Sequence, residues 1–214
     1  MVDAADQAAI ATRVGELESA YGVEVVTVVV GKSDVYPETV WKAFALGAAL
    51  TGLIVAVHDL LRPPWTAGGS ALWPAVAMLG IGALWALGAV FVPAFARLFL
   101  RKSRAELEVA QFAEVQFLQR ELFATPARNA VLILVSLLEQ RVVIRADTGL
   151  RDKVTVAQWD GVIARMLPAL RVGTPGAAML AGLAALRELF AAGGFVPAAR
   201  ENRFADRAIE ARDP

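Results

Sequence analysis

A long apolar stretch, Val40 to Leu100, limits what this chain can fold into more than any other feature. It contains two apolar runs, residues 40–61 and 72–96, separated by a connection rich in Pro and Gly. Because a helix rises about 1.5 Å per residue, about 20 apolar residues cross the roughly 30 Å hydrocarbon core of a bilayer. Both runs reach that length. The stretch predicts a helical hairpin that spans a membrane twice, because the helices of a soluble core would keep a polar face.

The charged residues around the hairpin predict its orientation. The connection carries a single basic residue, Arg62, whereas the side of the two chain termini carries Lys32, Lys42, Arg97, Arg101, Lys102 and Arg104. Cytoplasmic flanks of membrane proteins are enriched in Lys and Arg. We therefore expect both termini in the cytoplasm and the connection on the outside, with the lipid bilayer as a partner of the chain.

Charge and composition exclude several classes of function. The 21 basic and 21 acidic residues balance, so no basic surface predicts a nucleic-acid partner. The chain has no Cys and one His, His58, which excludes disulfides, thiolate metal sites and a Ser-His-Asp triad in the soluble part. No phosphate-binding loop or zinc-protease motif is present, and the pattern assigns neither a catalytic residue nor an organic cofactor.

The segments on both sides of the hairpin read as one α/β domain. Apolar periodicity and β-branched runs predict, in order, a helix over 3–20, strands over 23–30, 130–137 and 141–146, and helices from Thr155 and from Pro175. The first two strands should be parallel, and the third antiparallel to the second. The predicted fold is a three-layer α/β/α sandwich with a small mixed sheet, interrupted by the transmembrane hairpin.

The predicted domain boundaries follow from this order. Residues 1–36 form the first part of the domain, residues 37–100 the hairpin, residues 101–195 the second part, and residues 196–214 a tail along the surface. Pro93 predicts a kink at the membrane exit, but no residue signals a helix break between Ala94 and Ala124, so the second span is expected to continue as one long helix. Its soluble half would pack on the domain through a stripe of Phe112, Val115, Leu118 and Leu122.

Oxygen ligands for a hard divalent cation occur near one edge of the predicted sheet. Asp147 ends the third strand, Asp152 follows in the next loop, and Thr174 precedes the last helix. Carboxylate and hydroxyl oxygens are ligands of Ca²⁺ and Mg²⁺. These three residues are the candidate metal site, for calcium or magnesium. The alternative is that they cap loops and face solvent.

Three other sets of polar residues have both a functional and a structural interpretation. Asp34 and Ser136 lie at the carboxyl ends of the two parallel strands, at the sheet edge where α/β proteins bind ligands. The pair His58-Asp59 could carry protons or simply end the first span at the interface. The pair Arg128-Asn129 could bind an anion, or Arg128 could pair with a carboxylate.

The run from Arg128 to Leu150 (RNAVLILVSLLEQRVVIRADTGL), followed by Val154 and Trp159, resembles the TPM domain. The similarity is greatest to the bacterial membrane branch of that family, in which two membrane helices are inserted after the first helix and strand. The tail segment Glu201–Arg207 also resembles the ending of that branch. This resemblance implies an α/β/α domain that two inserted helices anchor in a bacterial inner membrane. For soluble relatives it implies a divalent-metal site, and for a plant branch an acid phosphatase activity.

Two hypotheses for the function follow from the resemblance. Residues 173–176 lack the Asp of the Gly-Asp segment that soluble members carry there, and Asp147 stands where many of them have Gly. The leading hypothesis is a non-enzymatic domain that binds a membrane or cytoplasmic protein at the cytoplasmic face of the membrane. The alternative is a divalent-metal-dependent phosphatase.

Overall fold

The computed structural model describes residues 2–61, 72–195 and 208–213. In chain order, its helices and strands are α1 (Ala4–Tyr21), β1 (Glu24–Val30), α2 (Pro37–Leu61), α3 (Leu72–Phe91), α4 (Pro93–Ala96), α5 (Lys102–Gln119), β2 (Ala130–Ser136), β3 (Arg141–Ala146), α6 (Val156–Val172), α7 (Pro175–Ala192) and β4 (Ile209–Glu210). Two compact units result, one of residues 1–34 with 103–214 and one of residues 35–102. The hairpin sequence thus forms a unit of its own.

The larger unit is built on a mixed four-stranded sheet in the order β3-β2-β1-β4. β1 runs parallel to β2, with Glu24 opposite Ala130 and Val30 opposite Ser136. β3 is antiparallel to β2. The predicted fold class and strand directions are therefore confirmed. The sequence pattern did not predict the short strand β4, which runs parallel to β1 on its other side.

Side chains alternate between the two faces of this sheet and form two cores. On one face, Val25 and Val29 of β1 pack with buried side chains of α1, α6 and α7. On the other face, Val26 and Val28 pack with α5. Both faces of β1 and β2 are buried, which explains their nearly continuous apolar sequence. The domain has three layers as a result.

The helix ends follow from local sequence signals. Gly22 ends α1 in the left-handed conformation with φ 62°. At the start of α6, the side-chain oxygen of Gln158 accepts a hydrogen bond from the Thr155 amide at 2.8 Å. Gly173 ends α6 with φ 87°. Residues at these three positions therefore set where α1 ends and where α6 begins and ends.

The prediction of one long helix from Ala94 to Ala124 is wrong. α3 ends at Phe91, because Pro93 has no amide hydrogen and the preceding Val92 is extended, with φ −116° and ψ 97°. A short helix and a 3₁₀ turn follow, and Leu100 is again extended, with φ −78° and ψ 126°. α5 then starts as a separate helix. No Gly or Pro marks the second break, so the sequence did not reveal it.

Only part of the expected stripe faces the sheet: Leu122, just after α5, is buried, and Phe112 packs against the same core. Ala105, Val109 and Ala113 are buried. Val115 and Leu118, which the apolar stripe placed in the core, are exposed. Small side chains at the buried positions let the helix lie close on the β-branched surface of the sheet. Val115 and Leu118 consequently remain outside, whereas Phe112 and Phe117 are partly buried against the core.

In the smaller unit, α2 and α3 pack side by side through glycines. A Cβ atom on Gly47 would lie 2.8 Å from Cγ of Trp85, and one on Gly82 would lie 3.0 Å from the Phe44 ring. Lys42 does not extend freely, because its ammonium donates a hydrogen bond to the carbonyl oxygen of Phe99 at 3.1 Å. The connection over residues 62–71 lies outside the described residues.

Among the residues that the structure describes, three helices are long and apolar enough to cross a membrane. α2 and α3 have a mean hydropathy of 1.9 and expose most of their side chains. α7 also meets the criterion, with a mean hydropathy of 1.2. However, its Met179, Leu183 and Phe190 are buried in the core of the larger unit. α7 is therefore a core helix of the domain.

Candidate functional site

The three candidate metal ligands have different surroundings. The carboxylate of Asp147 is almost fully buried and accepts hydrogen bonds from Nε of Arg128 at 3.1 Å and from the amide of Thr148 at 2.7 Å. Asp152 lies in an exposed turn before α6. The Thr174 hydroxyl donates to the carbonyl oxygen of Ala169 at 2.9 Å. Within the described ranges, no group of three or more His, Asp or Glu side chains is placed to hold a metal ion. The metal site stays a prediction.

Asp147 and Gly149 join the end of β3 to the loop before β2. The Asp147 amide donates to Ala130 at 2.9 Å, and the Gly149 amide donates to Arg128 at 2.8 Å. A Cβ atom on Gly149 would lie 2.4 Å from the carbonyl oxygen of Ala127. Only glycine fits a backbone approach that close. The Asp-Thr-Gly run therefore fixes the end of β3 to the loop before β2. We call residues 147–149 and 128–130 together the structural lock.

Arg128 and Asn129 belong to the same lock. The Arg128 guanidinium lies 2.9 Å from Oδ2 of Asp147. The Asn129 side-chain amide donates to the carbonyl oxygen of Gly22, which ties the loop to the end of α1. The structural interpretation of Arg128, pairing with a carboxylate, is thus the one observed.

A buried carboxylate connects the carboxyl ends of the two central strands. Oε1 of Glu139 accepts a hydrogen bond from the Ser33 amide at 2.8 Å, and Oε2 accepts one from the Ser136 hydroxyl. Ser136 is fully buried, and Glu139 is 8% exposed. The turn at Glu139-Gln140 is tight, with Gln140 in the left-handed region at φ 50°. The role of Glu139 could be recognised only once β1 was known to lie beside β2.

Asp34 pairs with the residue that follows the hairpin sequence. Its carboxylate lies 2.9 Å from Nη2 of Arg104, at the start of α5. Arg104 also lies 3.4 Å from Glu108. Asp34 and Arg104 both belong to the larger unit, so the two ends of that unit which flank the hairpin sequence meet at this ion pair. His58 and Asp59 are exposed at the end of α2.

Three apolar side chains are exposed on the outer side of α5, together with the polar residues Gln111 and Glu114. The apolar three, Leu107, Val115 and Leu118, are 56%, 45% and 61% exposed, and we call them the α5 surface. A small groove of about 300 Å³ beside Leu118 is lined by Phe117, Arg145 and Ala146, among others. Since Arg145 and Ala146 end β3, the end of β3 borders the α5 surface.

Ion pairs border the α5 surface on the side of β3. Glu106 lies 2.6 Å from Arg141, and Glu114 lies 2.7 Å from Arg145. At the end of α5, the Arg120 guanidinium donates to Oε1 of Gln116, and its partial burial lowers its pKa from the ordinary value through desolvation. The arrangement is an apolar centre with a polar rim, which is typical of protein interfaces.

Residues 95–189 match the sequence model of the TPM domain. The chain carries a TPM domain. No curated protein matches the chain. Among solved structures, it is similar to the NMR structure of BA42 protein from the psychrophilic bacterium Bizionia argentinensis, with 13% sequence identity and a TM-score of 0.58 over 99% of this chain and 96% of that chain. At this identity, the similarity concerns the fold alone.

The folded domain includes α1 and β1, which lie outside the residues that match the TPM domain. α1 and β1 precede the match, yet β1 pairs with β2 along its full length and forms the centre of the sheet. The Asp-Thr-Gly run that carried the resemblance lies inside the match and serves as the structural lock. The α5 surface also lies inside it. Sequence periodicity had assigned Val115 and Leu118 to the core and therefore missed this surface.

Proposed function

We propose that this chain is a membrane-anchored TPM domain that binds a partner protein at the cytoplasmic face of a bacterial inner membrane. The α5 surface is the observation that carries the proposal. Leu107 and Leu118 lie 11 positions apart on one helix, which places them about 16 Å apart at about 1.5 Å per residue. Single exposed apolar side chains are common, but an apolar row with a polar rim is typical of a docking surface.

The charges around the α5 surface favour a protein over lipid as the partner. Glu106, Glu108 and Glu114 all lie on α5. Each of the three is paired with an arginine, namely Arg141, Arg104 and Arg145, so these charges are mixed and lack the excess of Lys and Arg that an anionic membrane surface attracts. A protein surface of mixed charge is a suitable match for them.

Anchoring rests on α2 and α3. Both helices are long and apolar enough to cross a bilayer. The excess of Lys and Arg on the side of the termini supports a cytoplasmic position of the TPM domain. In this arrangement, the hairpin confines the domain to the membrane, so a partner that is itself membrane-bound meets it at high local concentration.

Site-specific photo-crosslinking in native membranes tests this proposal. A photoreactive amino acid at Val115 should form a discrete adduct with a partner protein. The matched control is Val156, an equally large residue that is 76% exposed at the start of α6. We expect no adduct from position 156, and loss of the adduct from position 115 when Leu118→Glu is added. Equal adduct patterns from the two positions, or an adduct that Leu118→Glu leaves intact, would contradict the proposal.

The rival hypothesis is a metal-dependent phosphatase that uses Asp147, Asp152 and Thr174. Arg128 and Thr148 already donate hydrogen bonds to the Asp147 carboxylate, which supports a protein-binding domain rather than a metal-dependent phosphatase. A calcium or magnesium titration followed by NMR separates the two. Saturable shifts at residues 147, 152 and 174 would favour the phosphatase, whereas a binding module should show no saturable response there.

A further inference from the structure

The segment that follows α3 is irregular and rich in basic residues, and we call residues 93–102 the exit segment. It begins with the four-residue helix α4, continues as a 3₁₀ turn over Arg97–Phe99, and is extended at Leu100. Its sequence contains no acidic residue and three basic ones, namely Arg97, Arg101 and Lys102. The end of α3 is therefore followed at once by a concentration of positive charge.

Aromatic and polar contacts fix the exit segment against the hairpin. The ring of Phe95 lies edge to face with two other rings, with its centroid 5.6 Å from that of Trp85 and 5.3 Å from that of Phe99. The ammonium of Lys42, in α2, donates a hydrogen bond to the carbonyl oxygen of Phe99 at 3.1 Å. These contacts hold the two phenyl rings inward and add a fourth basic residue to this end of the hairpin. Leu98, between them, is 75% exposed.

The backbone of the exit segment suits the polar edge of a bilayer and not its interior. Val92 and Leu100 are extended, and Pro93 has no amide hydrogen to donate. Irregular backbone that faces lipid is not found in the hydrocarbon region, because its polar groups would lack hydrogen-bond partners there. Water and headgroups supply such partners at the interface. In a membrane-anchored chain, the exit segment therefore lies among the headgroups.

The side chains exposed at this end of the hairpin match the chemistry of an anionic phospholipid. Arg101, Lys102 and the indole of Trp41 are exposed, as is Leu98. Over residues 37–42 and 93–102, four basic residues stand against the single carboxylate of Glu38. Exposed Trp side chains favour the membrane interface, and basic segments beside a membrane helix attract anionic headgroups. This excess of positive charge is the property that the α5 surface lacks.

We propose that the exit segment is a binding site for anionic phospholipids, of which phosphatidylglycerol is the type. Arg101 and Lys102, with Arg97 beside them, bind the phosphate, and Leu98 inserts among the acyl chains. A lipid fits this site better than a soluble anion does, because only a lipid also covers an exposed leucine. This inference rests on the membrane anchoring in the proposed function and adds a headgroup preference to it.

The lipid selectivity of the full-length chain in phosphatidylcholine vesicles tests the proposal. Spin-labelled phosphatidylglycerol or spin-labelled phosphatidylcholine is added in trace amounts, and electron paramagnetic resonance measures the fraction of each that the protein immobilises. The unaltered chain should prefer phosphatidylglycerol. One basic residue near an anionic lipid surface contributes about a fivefold preference. The double variant Arg101→Gln/Lys102→Gln should therefore lower the preference about fivefold or more.

Two control variants separate the site from net charge. Arg101→Lys/Lys102→Arg retains both cations and should retain the preference. Arg151→Gln/Arg171→Gln removes two exposed cations of the larger unit and should leave the preference unchanged. An equal fall in both Gln variants would overturn the inference. It would also be overturned if soluble glycerol phosphate removed the preference at constant ionic strength, because the ligand would then be a free anion.

A fluorescent probe at position 98 tests the contact with lipid independently. The chain has no Cys, so Leu98→Cys and Val172→Cys each create a single labelling site, at positions that are 75% and 81% exposed. A nitroxide on the phosphatidylglycerol headgroup should quench a probe at position 98 strongly and one at position 172, in α6, weakly. Equal quenching at the two positions would contradict the proposed insertion of Leu98.

The outcomes also distinguish this inference from the proposed function. If the unaltered chain immobilises both lipids equally while Val115 still forms its adduct, the headgroup site fails and the proposed binding function stands. If the chain immobilises neither lipid, the membrane anchoring fails, and the headgroup site fails with it.

Discussion

Buried polar residues of the TPM domain connect segments that are distant in the sequence. Glu139 joins the strand that precedes the hairpin sequence to the strand that follows it, through the amide of Ser33 and the hydroxyl of Ser136. Asp147 similarly holds the loop at Arg128. A buried donor that loses its acceptor costs more free energy than the hydrogen bond itself contributes. These carboxylates therefore act mainly on the stability of the domain.

Glu139→Ala should lower the free energy of unfolding by about 2–4 kcal/mol, because it leaves two buried donors without an acceptor. Chemical denaturation of the detergent-solubilised protein measures this change. Glu188→Ala serves as a control, since Glu188 pairs with Arg165 on the surface and should contribute under about 1 kcal/mol. A loss of stability no greater than that of the control would show that the Glu139 contacts are not structural.

Gly149→Ala should destabilise the domain by about 2 kcal/mol or more, because its Cβ atom would overlap the backbone at Ala127. Gly161, inside α6, offers the opposite case, since no atom lies within 4 Å of its Cβ position. Gly161→Ala should stabilise the protein by up to about 1 kcal/mol through its helix propensity. Thermal melts of the two variants show whether each substitution lowers or raises the stability of the protein. The explanation fails if both substitutions shift the melting temperature in the same direction.

At the level of elements, glycines decide how α2 packs on α3. Gly47 lies against Trp85 and Gly52 against Met78, whereas no atom lies within 4 Å of the Cβ position of Gly80. Small residues allow close helix packing in a membrane, where burial of apolar surface provides no driving force between helices. The same residue type thus has an interface role at one position and none at another.

Gly47→Leu should disrupt the hairpin and lower stability by about 1–3 kcal/mol, because the side chain would have to displace Trp85. Gly80→Leu should have little effect. The melting temperature in detergent, followed by tryptophan emission, compares the two variants. Equal melting temperatures would mean that the two helices do not pack through Gly47.

For the whole molecule, the main question is whether the TPM domain needs the inserted hairpin. The domain ends that flank the insertion already meet, because Asp34 and Arg104 form an ion pair of 2.9 Å. β1 comes from before the insertion and pairs with β2 from after it along seven positions. The fold requires both segments, but it requires only a short link between them.

Replacing residues 35–102 with a Gly/Ser loop of about four residues should yield a folded soluble domain, because a loop of that length spans neighbouring chain ends. Circular dichroism and an NMR spectrum with dispersed amide signals measure the outcome. Joining the ends with a loop of about twelve residues controls for strain in the short link. An unfolded product with both loops would show that α2 and α3 belong to the folding core.

The sequence by itself determined the apolar hairpin, the order of α1, β1, β2, β3, α6 and α7, and the ends of several of these helices. These features depend on local periodicity and on residues such as Gly22, Thr155 and Gly173, whose backbone preferences act within one turn. The TPM resemblance was also readable, because its motif is a continuous run from Arg128 to Leu150.

The tertiary structure decided which of the predicted residues lie together. Val115 and Leu118 fit a buried stripe by periodicity, but α5 turns its small side chains to the sheet and leaves them outside. Glu139 gained its partners only because β1 lies beside β2. Sequence patterns report which face of an element is apolar, whereas contacts between distant segments depend on the closeness of packing and on strand order. These are properties of the folded chain as a whole.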